Sequence, residues 1–480
     1  MKTIRNFTIL LFSLLFLVSC DNGFETMNQD PNNPRAVPSS LLITGIVRGA
    51  QNESYSTFTG GDMGACWSQH FSKVQYNDEE RYQPRQGVIT RVWDTYYTVV
   101  IADALAMQKI ATEEGNKNMQ GVALTLQAYG FAFLTDLYGD IPFSEALKTE
   151  QGIIAPKYDK QADVYTGVLK MLDDAIALLG TSGTIDATND ILYQGNAQNW
   201  KKFATSLKFR VLMRASKKLE STPTFKTQLQ ALVNSGNLFQ SNAQEAKLIY
   251  LSANPSANPL YESIVFGTRG EWKINAKMVE ILVLNSDPRL PIYAQKNAAG
   301  AYRGKPAGIV NVPSDDYNYT NVSALGTFYL KPELPAFFIS HSELKFLMAE
   351  AVVKGYITGN AETFFQDGIR SNLEFNGVAS ADVTTYLAQK GVLAVAQTAA
   401  LTQIYTQNWI GLFSQGVESW TEWRRTKTPA LLPALEADLT EIPSRYNYPT
   451  TESSINKANY DAAVAAQGAD KLTTPIWWMQ

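Results

Sequence analysis

The chain has 480 residues, 45% of them hydrophobic and only 18% charged, which supplies a large core beneath a surface rich in neutral polar groups. Lys and Arg total 41 against 45 Asp and Glu, a net charge of −4 that excludes the basic face a general nucleic-acid binder needs. With only His70 and His341, and only Cys20 and Cys66, a multi-histidine zinc site and a disulfide framework are both excluded.

The first twenty residues read as an export address. Lys2 and Arg5 precede an apolar run of about a dozen residues, Phe7 to Val18, short of the roughly 20 needed to cross a bilayer. The run ends in Leu17-Val18-Ser19-Cys20, which resembles a lipoprotein box, a small residue before a cysteine that is acylated and becomes N-terminal. Residues 1–19 are thus expected to be a removed signal peptide, with Cys20 the lipidation site that carries palmitate-like chains. Residues 20–38, rich in Asn, Asp and Pro, read as an extended acylated tether. Each buried CH₂ contributes about 0.8 kcal/mol, so several acyl chains hold a protein on a membrane without spanning it.

Beyond the tether, helical periodicity dominates. A helix is expected over 91–111. In 117–137, Met119, Val122, Leu126, Tyr129, Phe133 and Leu137 form one apolar stripe that stops at Gly139 and Pro142. Residues 161–179 and 197–219 repeat the rhythm, the latter through Trp200, Phe203, Leu207 and Val211. Residues 341–355 and 361–375 form facing helices around a turn at Ile357–Asn360, with Ala349, Ala351, Gly355 and Gly368 at close-approach positions. This pair resembles a tetratricopeptide hairpin of about 34 residues, although the repeat spacing is not met strictly. A last helix is expected at 396–414.

Three stretches lack a clean period: 53–90, 250–338 and 425–480. They hold many of the aromatic, Pro and Gly residues, and long loops of this kind are often functional. Trp67, Tyr76, Tyr82, Trp272, Tyr317 and Tyr319 are the candidate ligand-binding rings, because flat faces complement the C–H faces of sugars and polar neighbours can bond the hydroxyls. Cys66 reads as a buried, inert thiol. There is no phosphate loop, nucleophile elbow, H-E-x-x-H or C-x-x-C, and no cofactor or metal is expected. Asp186–Asp190 lacks the glycine and distal glutamate of a calcium loop and reads as a solvated turn. Glu418 and Glu422 could share a helix face as a hydrolytic pair, but nearby arginines are expected to engage them, and to stack on the tryptophans.

Several strings then combine. Thr135-Asp136-Leu137-Tyr138-Gly139-Asp140-Ile141-Pro142-Phe143, Pro38-Ser39-Ser40-Leu41-Leu42 and Trp200-Lys201-Lys202-Phe203 occur in order with Glu418-Ser419-Trp420-Thr421-Glu422-Trp423-Arg424-Arg425 and Ile442-Pro443-Ser444-Arg445-Tyr446-Asn447-Tyr448-Pro449. Together with the lipoprotein box they resemble the SusD/RagB-like nutrient-binding outer-membrane lipoproteins of Bacteroidetes, in the SusD-like branch. The resemblance implies a mainly α fold, with tetratricopeptide-like helical pairs packed against a loop-rich irregular region in one SusD-like domain over 39–480. It also implies a lipid-anchored outer-membrane protein that faces the cell surface. Such a protein binds an oligosaccharide or other oligomeric ligand and pairs with a SusC-like TonB-dependent transporter. Asp136, Tyr138, Asp140, Arg445, Tyr446 and Pro449 read as fold residues. The expected activity is binding without catalysis; a surface-anchored glycoside hydrolase and a protein-binding helical scaffold are the rival readings.

Overall fold

Asparagines start several of the helices. Asn116, Asn196 and Asn360 each accept a backbone N–H from the residue three further on, at 3.0–3.1 Å, which satisfies donors that the first turn leaves unpaired. The computed structural model describes residues 37–310 and 316–480; the expected signal peptide, Cys20 and the expected tether to residue 36 lie outside the described residues. Among the described residues, the α-helices of nine residues or more are α1 (Leu42–Ser54), α2 (Gln86–Thr95), α3 (Ala102–Glu113), α4 (Lys117–Tyr138), α5 (Gln161–Leu178), α6 (Ala197–Arg214), α7 (Phe225–Asn234), α8 (Ala276–Leu284), α9 (His341–Val353), α10 (Ala361–Phe375), α11 (Ser380–Lys390), α12 (Gln397–Gly411), α13 (Gly416–Thr426) and α14 (Lys457–Gln467). Four short strands, β1 (Phe71–Lys73), β2 (Ala246–Leu248), β3 (Trp272–Ile274) and β4 (Ala336–Ile339), pair antiparallel as β1–β3 and β2–β4. The protein is mainly α, and Ser39–Gln480 form one compact unit.

The striped segments fold as read, with shifted ends. The helix expected at 91–111 begins five residues early, and α2 and α3 are joined through a π-wound stretch, Tyr96–Ile101, that buries Tyr96, Tyr97, Val100 and Ile101 together. The 197–219 segment breaks after Arg214, where Ala215 leaves helical geometry. The 341–375 hairpin forms as α9 and α10. A Cβ on Gly368 would stand 2.8 Å from the Phe346 ring, so glycine lets α10 lie directly on that side chain. The third core cluster of the fold is built there from Phe346, Phe365, Tyr386 and Ile404.

The segment 53–90 is more ordered than its lack of period suggests. Thr57–Ala65 is π-helical and packs against the start of α13, where a Cβ on Gly64 would lie 2.4 Å from the Gly416 carbonyl carbon. Two backbones in such contact leave no room for side chains on either glycine. This crossing carries the chain into β1, whose pairing with β3 (Lys73 opposite Trp272) sets the base of the loop-rich side.

Candidate ligand-binding face

The rings that reach solvent gather where β1 and β3 end. Tyr76 follows β1 in a left-handed backbone conformation (φ 53°) and is 61% exposed. Tyr319 is 44% exposed, and its hydroxyl donates to Gln75 Oε1 at 2.8 Å, so it stands next to the turn that carries Tyr76. Partial burial, the Glu271 carboxylate and neighbouring Tyr76 raise the Tyr319 hydroxyl above its ordinary pKa. Tyr317, half-buried, completes the group from the same loop.

Each of these rings carries a cation. Arg269 lies 5.7 Å from the Tyr76 centroid, Lys273 5.3 Å from Tyr319 and Arg303 4.9 Å from Tyr317. The cations are themselves held: Arg269 by Glu271, Arg303 by Asp316 at 3.8 Å, and Lys273 by donating to the Tyr319 carbonyl at 3.1 Å. Burial lowers the Lys273 ammonium from its ordinary pKa against the pull of Glu271. The rings are thereby held against cations that are themselves anchored, with flat apolar surface beside guanidinium and carboxylate groups.

The other three candidate rings belong to the interior. Trp67 is 1% exposed, donates its indole N–H to the Glu79 carbonyl at 2.7 Å, and packs edge-on against Trp420 and Tyr446. The Tyr82 hydroxyl accepts the Ala434 backbone N–H at 2.8 Å. Trp272, also 1% exposed, donates to Asp62 Oδ1 at 2.8 Å. Only Tyr76, Tyr317 and Tyr319 of the six come together at the surface. Trp272 supports them from beneath, with Arg269 5.3 Å above its ring. Nothing in the local sequence separates Trp67 from Tyr76; the partners that bury Trp67 come from α13 and the segment after it.

The acids that could have formed a hydrolytic pair are spent elsewhere. Glu418 is paired with Arg210 at 3.3 Å and with Arg214, and Glu422 with Arg214 at 3.1 Å and Arg425 at 2.8 Å. Burial raises the Glu422 carboxyl, but Arg425 and Arg214 hold it below its usual range. Arg424 stacks on Trp420 at 3.8 Å. The network runs on to Asp136 of α4, which accepts from Arg214 at 2.6 Å and from the Trp478 indole at 2.9 Å, and to Glu343 and Glu350 of α9. Asp140 accepts the Gln161 N–H at 2.8 Å and the Tyr138 hydroxyl donates to the Ile89 carbonyl at 2.7 Å, so these signature residues hold the fold together.

Both histidines are buried beside serines. His70 Nε2 lies 3.0 Å from Ser419 Oγ and His341 Nδ1 3.1 Å from Ser371 Oγ, and burial lowers their pKa values to about 3 and about 4, which keeps both neutral. Cys66 is buried, and burial pushes its thiol well up. The Asp186 carboxylate accepts the Thr188 and Asn189 N–H groups, and that of Asp190 accepts the Trp200 indole, so the acids of this turn are occupied. Among the described residues no group of three or more His, Cys, Asp or Glu side chains could hold a metal ion, and no helix is long and apolar enough to cross a membrane.

No curated protein matches the chain. Among solved structures, a chitin-binding protein is similar at 25% identity, covering 92% of this chain and 99% of its own, with a TM-score of 0.82. A SusD homolog from Bacteroides fragilis shows 25% identity over 93% of this chain and 100% of its own, with a TM-score of 0.77. A chitin-binding SusD homolog from Flavobacterium johnsoniae shares the fold at 22% identity over 92% of this chain and 97% of its own, with a TM-score of 0.78. The SusD-like profile described as "Starch-binding associating with outer membrane" matches residues 31–449. The helical hairpins, the loop-rich side and this match across most of the sequence agree: the chain belongs to the SusD-like family.

Proposed function

We propose that this protein is a cell-surface lipoprotein that binds an oligomeric glycan through Tyr76, Tyr317 and Tyr319, leaves it intact and passes it to a SusC-like TonB-dependent outer-membrane transporter. The observation that carries the reading is the cluster of solvent-facing tyrosines, each fixed by its own cation, at the end of the β1–β3 pair. Sugar rings stack on such faces, and the flanking Arg269, Arg303 and Asp316 bond their hydroxyls, with the buried Glu271 holding Arg269 in place. Glu418 and Glu422, locked into guanidinium pairs, support binding over hydrolysis. Because a structural neighbour at 25% identity is described as chitin-binding, oligomers of N-acetylglucosamine are the first ligands to try, followed by malto-oligosaccharides.

Calorimetric titration tests the reading. Tyr76→Ala and Tyr319→Ala should each weaken binding about tenfold, the loss of one stacking surface, while the melting temperature stays put. Unchanged affinity in both variants, or steady release of shortened sugars by the unaltered protein, would overturn it.

Anchoring has its own test. Cys20 carries the acyl chains in this proposal, residues 20–38 span the gap to the folded body, and the membrane is touched only through lipid. Cys20→Ala should abolish palmitate incorporation and move the protein from the outer-membrane fraction to the soluble one. Retention in the membrane without label would refute the lipid anchor.

A further inference from the structure

A groove of about 570 Å³ opens between α1, α2 and the segment 255–263. The Phe58 ring forms part of its wall, and its charged groups are engaged within the walls themselves. Arg91 is held by Glu53 through Nε–Oε2 at 2.9 Å and Nη2–Oε1 at 3.2 Å, and Glu262 accepts the Ala257 N–H at 3.2 Å together with the Asn254 amide. The neutral amide and hydroxyls of Asn52, Ser56, Thr57, Thr95 and Ser263 contribute the rest of its polar lining. One ring, several hydroxyls and one net negative charge, from Glu262, suit an uncharged polyhydroxylated ligand whose hydroxyls donate. An apolar peptide face would cover the Thr95 and Ser263 hydroxyls without bonding them, and a phosphate would meet Glu53 and Glu262.

This groove adjoins the tyrosine cluster through two chain segments. Arg269, whose guanidinium lies on Tyr76, donates its backbone N–H to the carbonyl of the groove residue Ser263 at 3.1 Å. From the other wall, Arg85 lies 4.4 Å from the Phe58 centroid and 3.5 Å from Asp62, which accepts the Trp272 indole beneath Arg269. The Arg85 and Arg269 side chains are 53% and 39% exposed, so the route between the two places runs over the surface.

We propose that the groove and the tyrosine cluster are two subsites of one elongated surface, with the groove taking further sugar units of an oligomer whose first units stack on Tyr76 and Tyr319. This inference rests on the glycan reading above. Once the first subsite is filled, occupation of the second is intramolecular, so affinity rises with chain length until the oligomer reaches both.

The test is titration of the full protein and its variants with short and long members of two series, chitobiose and chitohexaose, maltose and maltohexaose. Phe58→Ala removes the ring. Ser263→Trp fills the groove without deleting a packed side chain, which covers the case in which Phe58→Ala melts early. In whichever series binds, both variants should weaken the hexamer about tenfold and leave the dimer within about twofold, whereas Tyr319→Ala should weaken both lengths. Unchanged hexamer affinity in Ser263→Trp, or an equal loss for dimer and hexamer, would overturn the second subsite while the tyrosine site stands. Failure of the unaltered protein to bind any of the four sugars would remove the glycan reading, and the second subsite with it.

Discussion

Arg214→Ala should destabilise the protein by about 3–5 kcal/mol, the cost of taking the central cation out of a buried ion network. The Arg214 guanidinium is 3% exposed and meets three acids at once, Asp136, Glu418 and Glu422, on two other helices. Deleting it leaves Asp136 without its ion-pair partner and removes one of two cations from each of Glu418 and Glu422, which keep Arg210 and Arg425. Urea unfolding followed by tryptophan fluorescence measures the loss, and lowering the pH should restore part of it, because protonated acids no longer need the guanidinium. Arg214→Lys should recover only a fraction, since one ammonium cannot present a planar fork to three partners. Lys170→Ala is the control: its pair with Asp174 at 2.8 Å is solvent-exposed, and its removal should change stability by less than about 0.5 kcal/mol. A loss below about 1 kcal/mol in Arg214→Ala would show that the network is not what holds these helices together.

Glu343→Gln should change the pH dependence of stability rather than abolish folding. Burial, with Glu418 and Glu422 close by, raises the Glu343 carboxyl to about 8 against the pull of Arg210 at 3.3 Å. An unfolded glutamate releases its proton near 4.5. Between those values the folded chain therefore binds more protons than the unfolded one, so this group's contribution to stability falls as pH rises from about 4.5 to about 8. Below that window the proton is present in both states and the penalty vanishes; above it the full penalty applies. Glutamine has no proton to lose. The variant's stability should be flatter across pH 5–8 and exceed the parent's at pH 8 by up to about 3 kcal/mol, read from denaturant midpoints at each pH. Parallel curves for parent and variant would refute the buried proton.

The parts of the fold legible in the sequence are those whose contacts are local. The stripes of α4, α5, α9 and α10 announce their own buried faces, and Gly368 its close approach. By contrast α8 reads Ala276–Leu284 with apolar residues on nearly every side, so no period marks it, and α11 and α14, of 11 residues each, are short enough for their stripes to pass unnoticed. The rings divide for the same reason. Trp67 and Tyr76 both sit among polar neighbours, yet Trp67 meets Trp420 and Tyr446, more than 350 residues away, and vanishes into the core. Trp272 lies in a three-residue strand buried along its whole length, Lys273 included, which no alternation of polar and apolar residues foretells. The groove at Phe58 gave no signal at all, because its walls come from three segments that only the fold assembles. The family strings, in turn, mark residues such as Asp136 and Tyr138 that hold the frame, and are silent about the loops that meet a ligand.

One bond has a bearing on how this polypeptide acquires its shape. The Trp478 indole lies under Arg424 and donates to Asp136, 342 positions earlier, on the helix where the ion network begins. The helix therefore cannot meet this partner until 342 further residues have been made, and such distant closure is slow. A chain that stops short of Trp478 therefore leaves Asp136 without that donor and Arg424 without that ring.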